Sequence, residues 1–151
     1  MVRSLDEKFM LEIIKNKDQI ISIIIKNNYE KEGISFFTPD DFSQQLAFMQ
    51  HDKNKVIQPH VHNSVSRQVF FTKEVLFIKT GKVRVDFYDD NKNYLESRIL
   101  EPGDVILLAS GGHGFKFLEK TQMIEVKQGP YAGEQDKTRF DGVGEEIIKI
   151  K

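Results

Sequence analysis

The feature that most restricts this chain is a change of hydrophobic period near residue 43. Downstream of it, apolar and polar residues alternate in short runs, giving candidate strands at 45–50, 68–72, 74–79, 82–88, 94–100, 105–108, 115–118 and 123–126. Alternation places successive side chains on opposite faces, so one face of each run can be buried while the other meets solvent or a second layer. Between the runs stand turn-forming residues: Thr80-Gly81, residues 89–93, Pro102-Gly103-Asp104 and Gly111-Gly112. Many short strands with regularly spaced turns predict an all-β sandwich or barrel, and no long helical pattern interrupts them to build a parallel α/β sheet.

Upstream, the pattern reads as helical. Ser4 and Glu7 have the spacing of a capping box, and Phe9, Met10, Ile13 and Ile14 recur at helical intervals. Residues 16–18 interrupt the pattern, Asp18 can cap a second helix, and Ile20, Ile21, Ile24 and Ile25 form its apolar stripe up to Glu32-Gly33. The predicted organisation is therefore an N-terminal helical segment over 1–36, a β domain over 37–130 and a C-terminal tail over 131–151. In that tail Ile147, Ile148 and Ile150 suggest a short final strand, on this barrel or a neighbouring subunit. At 151 residues the chain suits one core.

Charge and composition exclude several functions. A net charge of −1 gives no electrostatic reason to expect nucleic acid or an anionic membrane as a partner. The run from Ile20 to Ile25 is too short to cross a bilayer, lies behind many charges and lacks a small-residue cleavage site, so neither a signal peptide nor a membrane helix is expected, and the expected location is cytoplasmic. Without cysteine there is no disulfide, no thiolate ligand and no thiol nucleophile, and any metal must be held through nitrogen and oxygen.

Three groups could supply such ligands. His60-Val61-His62 places two imidazoles on one side of an extended chain, a ready pair of metal ligands that surface strands also produce by chance. Glu74 is the second. If Thr80-Gly81 closes a two-residue hairpin, Ile78 faces Val83, Leu76 faces Val85 and Glu74 faces Phe87 on the inner apolar side. A carboxylate there needs a cation or several donors, unless it reaches water at the strand end or pairs with Arg67 or Lys73. The third is His113, set between glycines in Ser110-Gly111-Gly112-His113-Gly114, either at a bend that approaches the same cavity or in an ordinary turn. His51 has no such context and reads as a loop residue.

Together these residues resemble the cupin family. Its first motif is His-x-His, a glutamate, six residues and a glycine, matched by His60, His62, Glu74 and Gly81. Its second opens with glycine, often followed by Asp, and ends in histidine, matched by Gly103-Asp104 through His113. The match covers about residues 43–128. Eleven residues separate His62 from Glu74 against the usual three or four, Ala109 stands where proline is usual, and one residue rather than two separates Gly111 from His113. Either a longer loop follows His62, or another residue such as Gln68 takes the glutamate's place. The end of the β region, Glu125 to Tyr131 followed by Asp136-Lys137, is similar to cupin-fold metalloproteins encoded beside bacterial surface-polysaccharide (O-antigen) synthesis.

The resemblance implies a cupin-type jelly roll holding one divalent ion (Fe, Mn, Ni, Co or Zn) through His60, His62, Glu74 and His113. It implies a small metal-dependent enzyme of dioxygenase or isomerase type, acting on an oxygen-rich small molecule such as a sugar derivative. Arg67, Gln68 and Lys116 are the candidate substrate contacts. Two alternatives stay open: a non-catalytic metal-dependent sensor or binding module, and a metal-free sugar isomerase or epimerase with His60 or His62 as base and Tyr88 or Tyr94 as acid. Val75 and Phe77, on the outer face of their strand, call for cover and point to a homodimer.

Overall fold

A computed structural model of the chain describes residues 10–151. They form an all-β protein. Ten strands appear among them: β1 Leu11–Asn16, β2 Gln19–Ile25, β3 Gly33–Phe36, β4 Ala47–Gln50, β5 Glu74–Thr80, β6 Val83–Tyr88, β7 Tyr94–Leu100, β8 Val105–Leu108, β9 Gly112–Phe117 and β10 Gln122–Lys127. They are arranged in three antiparallel sheets with open edges, in the orders β1-β2-β8-β5-β10, β7-β6-β9 and β3-β4.

The helical reading of the N-terminal segment is wrong where the structure describes it. Residues 11–25 are a β-hairpin, while Ser4, Glu7 and Phe9 lie outside the described residues. Seven isoleucines fall between positions 13 and 25. Their branched Cβ stiffens χ1 and suits a pleated surface. Ile23, Ile24 and Ile25 are all buried, so β2 is covered on both faces. A strand covered on both faces loses its alternation, and such a run satisfies helical spacing by default. The polar interruption at 16–18 is the hairpin turn, with Lys17 at φ 54°.

The chain divides into two compact units. One comprises the described residues up to Tyr29 together with 72–151, and the other residues 30–71. In the first, the five-stranded sheet and the three-stranded sheet share one apolar core. Ile14, Ile24, Leu76, Ile78, Ile106 and Leu108 from the large sheet meet Val83, Val85, Phe87 and Leu100 from the small one. At roughly 25 cal/mol per Å² of apolar surface removed from water, this sandwich-like layer is the main source of the unit's stability. The second unit holds the short pair β3–β4. Its loop is closed by Gln45, whose Nε2 donates to the carbonyls of Pro39 and Phe42 at 2.9 Å.

The expected hairpin between β5 and β6 is absent. β5 pairs with β8 and β10, whereas β6 pairs with β7 and β9. The link through Gly81 instead carries the chain from one sheet to the other. Gly81 has φ 83°, and a Cβ there would stand 2.3 Å from the Lys120 carbonyl oxygen, so no other residue fits without displacing backbone. The inward faces are nevertheless those expected: Leu76 and Ile78 meet Val83, Val85 and Phe87 across the layer instead of along a ladder. Residues 68–72 form no strand: 68–71 are exposed, Phe70 and Phe71 by about four-fifths, so no apolar face there is covered.

Asp104 locks the β7–β8 turn. Its fully buried carboxylate accepts from the Asn27 and Glu101 amides at 2.8 and 2.9 Å and pairs with Lys26, tying the turn to the end of β2. The C-terminal tail straps the outer face of β6 and β7. Arg84 donates to Asp86 at 2.8 and 2.9 Å and to Glu145 at 2.7 and 3.2 Å, and Lys116 adds a 2.7 Å bond to Glu145. The predicted final strand is reduced to a 3-10 turn at Glu145–Ile147 and a single parallel bridge from Ile150 to Ser97 in this same chain.

Leu76→Ala is expected to cost about 2–5 kcal/mol in denaturant unfolding, against under about 1 kcal/mol for Phe77→Ala on the opposite face. Glu145 supplies a second expectation. Hydrogen bonds from Arg84 and Lys116 hold its carboxyl at about 2, down from 4.5. The clamp is therefore at full strength above pH 4.5 and is lost as the pH falls towards 2. Acid unfolding of Glu145→Gln should be less pH-dependent in that window than that of the parent, as followed by circular dichroism.

Candidate functional site

Glu74 opens β5 and shares its face with Leu76 and Ile78. Across the large sheet it is level with Leu108 and Ser22 on one side and Lys127 on the other. His113 lies on β9 of the small sheet, opposite Phe87 and two residues before Phe115, which packs against the core. Its ring also touches Phe115 at a centroid distance of 5.4 Å. The two inward faces thus bring Glu74 and His113 together at one end of the layer. Glu74 Oε2 stands 3.3 Å from His113 Nε2, with the side chains 14% and 29% exposed.

This placement explains the electrostatics of Glu74. Its carboxyl is lowered chiefly by the hydrogen bond from His113. Burial works in the opposite direction, and the charges of His113, Lys127 and Lys137 add to the lowering. Glycines flank His113 for a local reason. Gly111 has φ 66°, and a Cβ on Gly112 would lie 2.9 Å from the Phe140 ring. The bend expected there is the entry to β9, and His113 is a strand residue rather than a turn residue.

His60 and His62 lie in the other unit, in a stretch without strands. Both are exposed, and their rings meet edge to face at 5.3 Å. His60 Nδ1 stands 3.0 Å from the Gln58 carbonyl. A carbonyl can only accept, so Nδ1 is the donor in this contact. Arg67 and Gln68 are exposed in the same stretch, and Arg67 makes only a long 3.4 Å bond to the Val65 carbonyl. Lys116 is on the outer side of β9, bound to Glu145 of the tail. The structure therefore joins Glu74 with His113, and His60 with His62. Among the described residues no three His, Cys, Asp or Glu side chains form a metal-sized group.

The tyrosines are held elsewhere. Tyr88 accepts from the Val143 amide at 3.3 Å and meets Phe140 edge to face, while Tyr94 bonds Ser97 and the Lys149 amide, each at 2.8 Å. Both hydroxyls face the tail. Sequence reasoning missed two features. The Arg84-Val85-Asp86 alternation reads as a solvated face, but Arg84 and Asp86 are buried beneath the tail. His51 Nε2, read as an ordinary loop group, is buried without a hydrogen-bond partner among the described residues.

A shallow hollow of about 170 Å³ lies at the end of β10, lined by Lys127 to Ala132 and Asp136. Gln128 Oε1 accepts from the Lys73 amide at 2.9 Å and Asp136 accepts from Thr72 at 2.5 Å, tying the segment before Glu74 to the segment after β10. The Gly129-Pro130 bond that turns the chain away from the sheet is cis.

The spacing of Glu74 and His113 suits a shared ion. Two nitrogen or oxygen donors bound at about 2.1 Å, at octahedral or tetrahedral angles, stand roughly 3.0–3.5 Å apart. No family model, curated protein or solved structure matches the chain. Among the described residues no helix is long and apolar enough to cross a membrane.

Proposed function

We propose that the chain is a cupin-type protein with a jelly-roll β domain, binding one divalent metal ion and acting on an oxygen-rich small molecule such as a sugar derivative. The observation that carries this reading is the meeting of Glu74 and His113, from different sheets, at the spacing of neighbouring ligands. The resemblance of the His-x-His motif would assign the remaining two ligands to His60 and His62. Three imidazoles and a carboxylate suit Fe, Mn, Ni, Co or Zn, and thiolate-seeking sites are excluded by composition. When bound, such an ion polarises a carbonyl or hydroxyl oxygen of its ligand.

This chain's own residues have defined tasks in that scheme. Glu74, kept ionised by His113 and the nearby lysines, brings negative charge to the inner face. Phe87, Leu108 and Phe115 surround the pair with apolar surface and limit water. A second reading is a metal-dependent sensor or binding module, favoured by the apolar Phe87, Leu108 and Phe115 beside the pair. We include a homodimer in the proposal. On the outer face, Phe77 pairs with Ile124 and Val75 with Val126, and Phe77, Ile124 and Val126 are exposed.

Equilibrium dialysis against each of the five metals, with elemental analysis, is expected to give one ion per chain for at least one of them. Loss of outer-shell partners already costs about 10–100-fold in metal affinity, so Glu74→Gln and His113→Ala should each weaken binding at least that much. Failure of all five ions to bind would overturn the proposal. Turnover of sugar nucleotides or diols by the loaded protein would separate enzyme from sensor, and light scattering after size exclusion would show a monomer if the dimer is wrong.

A further inference from the structure

β10 ends the five-stranded sheet, and no strand lies beyond it among the described residues. The direction of its backbone groups follows from its neighbour. Ile78 of β5 bonds towards the β8 side, donating to the Asp104 carbonyl at 3.0 Å and accepting from the Gly103 amide at 2.7 Å. Backbone direction alternates along a strand, so Leu76 and Glu74 also face β8, while Val75 and Phe77 face β10. The partners of Val75 and Phe77 are Val126 and Ile124, which therefore bond inward to β5. The amides and carbonyls of Met123, Glu125 and Lys127 point away from the sheet. The irregularity of β10 lies between Gln122 and Met123, so the strand from Met123 to Lys127 is a regular, open template. Its side chains carry a second signal. Glu125 and Lys127 share one face and pair at 3.1 Å, while Ile124 and Val126 are exposed on the other.

We infer that β10 is the seam of a homodimer, pairing antiparallel with β10 of a second copy in the register that sets Glu125 opposite Lys127 of the partner subunit. This rests on the dimer reading above and specifies its strand and its register. Hydrogen bonding across a two-fold axis requires outward-directed residues to face one another. Setting Glu125 opposite itself, or Lys127 opposite itself, brings like charges together. Setting Met123 opposite itself or opposite Glu125 leaves both charges unmatched. The remaining register pairs opposite charges, twice by symmetry, with Val126 meeting its own copy on the axis. The two large sheets then become continuous, the outward backbone groups of β10 are bonded, and the Ile124–Val126 rows of the two copies lie side by side. Lys127 is level with Glu74, so the Glu74–His113 pair of each copy lies one strand from the seam.

Sedimentation equilibrium of the full chain over a concentration series, with charge exchange at the two paired positions, tests the inference. The parent should dimerise. Glu125→Lys and Lys127→Glu each set like charges opposite one another twice, so each should weaken the dimer about tenfold or more. The combined variant Glu125→Lys/Lys127→Glu should return to within about threefold of the parent, because the opposite pairing is restored with its signs exchanged. Glu125→Pro removes an outward amide and no bond to β5, so it should be monomeric while keeping the parent's far-UV circular dichroism. Should that variant unfold, the charge exchanges decide alone. A parent that stays monomeric at every concentration would overturn both the inference and the dimer reading. A dimer that survives Glu125→Pro and both single exchanges has its seam elsewhere, which overturns the inference and leaves the dimer reading standing. Single exchanges that weaken the dimer with no recovery in the combined variant would overturn the register, and the inference with it.

Discussion

Everything in the first unit follows from one contact, the apolar layer between the inward faces of β5 and β6. Leu76 and Ile78 must face Val83, Val85 and Phe87, and once they do, strand parity leaves Glu74 no other side to occupy. The same rule on the small sheet turns Phe115 inward and takes His113 with it. The pairing of a carboxylate with an imidazole is thus a by-product of hydrophobic packing, and its cost in desolvation is met by mutual hydrogen bonding. A pair held in this way is preorganised, since neither side chain can leave without a strand changing face.

Much of this was legible in the sequence because a period of two survives wherever one face of a strand meets a different environment from the other. The strands expected at 74–79, 82–88, 94–100, 105–108 and 123–126 appear within a residue or two of their limits. Glu74 was recognisable as a charged residue in an apolar row. The connection between the strands was not legible. A glycine-containing link of minimal length serves a hairpin and a crossing between sheets equally well. What decides is the crowding of Gly81 against Lys120 and Thr121, forty residues away in sequence. The N-terminal hairpin was hidden for the opposite reason: β2 is buried on both faces, and a run with no polar face carries no period.

Polar residues were the other blind spot. Arg84 and Asp86 alternate with valines as solvent-facing residues do, and nothing near them in sequence announces that Glu145 will cover them. Their partner arrives from sixty residues downstream, beyond the reach of any local pattern. Lys116 is occupied by the same glutamate, and Arg67 and Gln68 remain on an uncovered stretch.

The strap formed by the last residues has a further effect on how copies of the protein meet. β7 borders the small sheet, and a bordering strand with free amides and carbonyls invites strands from other molecules. At its midpoint Ser97 spends both backbone groups on the chain's own terminus, donating to the Lys149 carbonyl at 2.9 Å and accepting from the Lys151 amide at 3.1 Å. Those two bonds occupy the middle of the bordering strand and so interrupt its free backbone groups. A strand from another molecule would have to displace residues 149–151 before it could pair with Ser97.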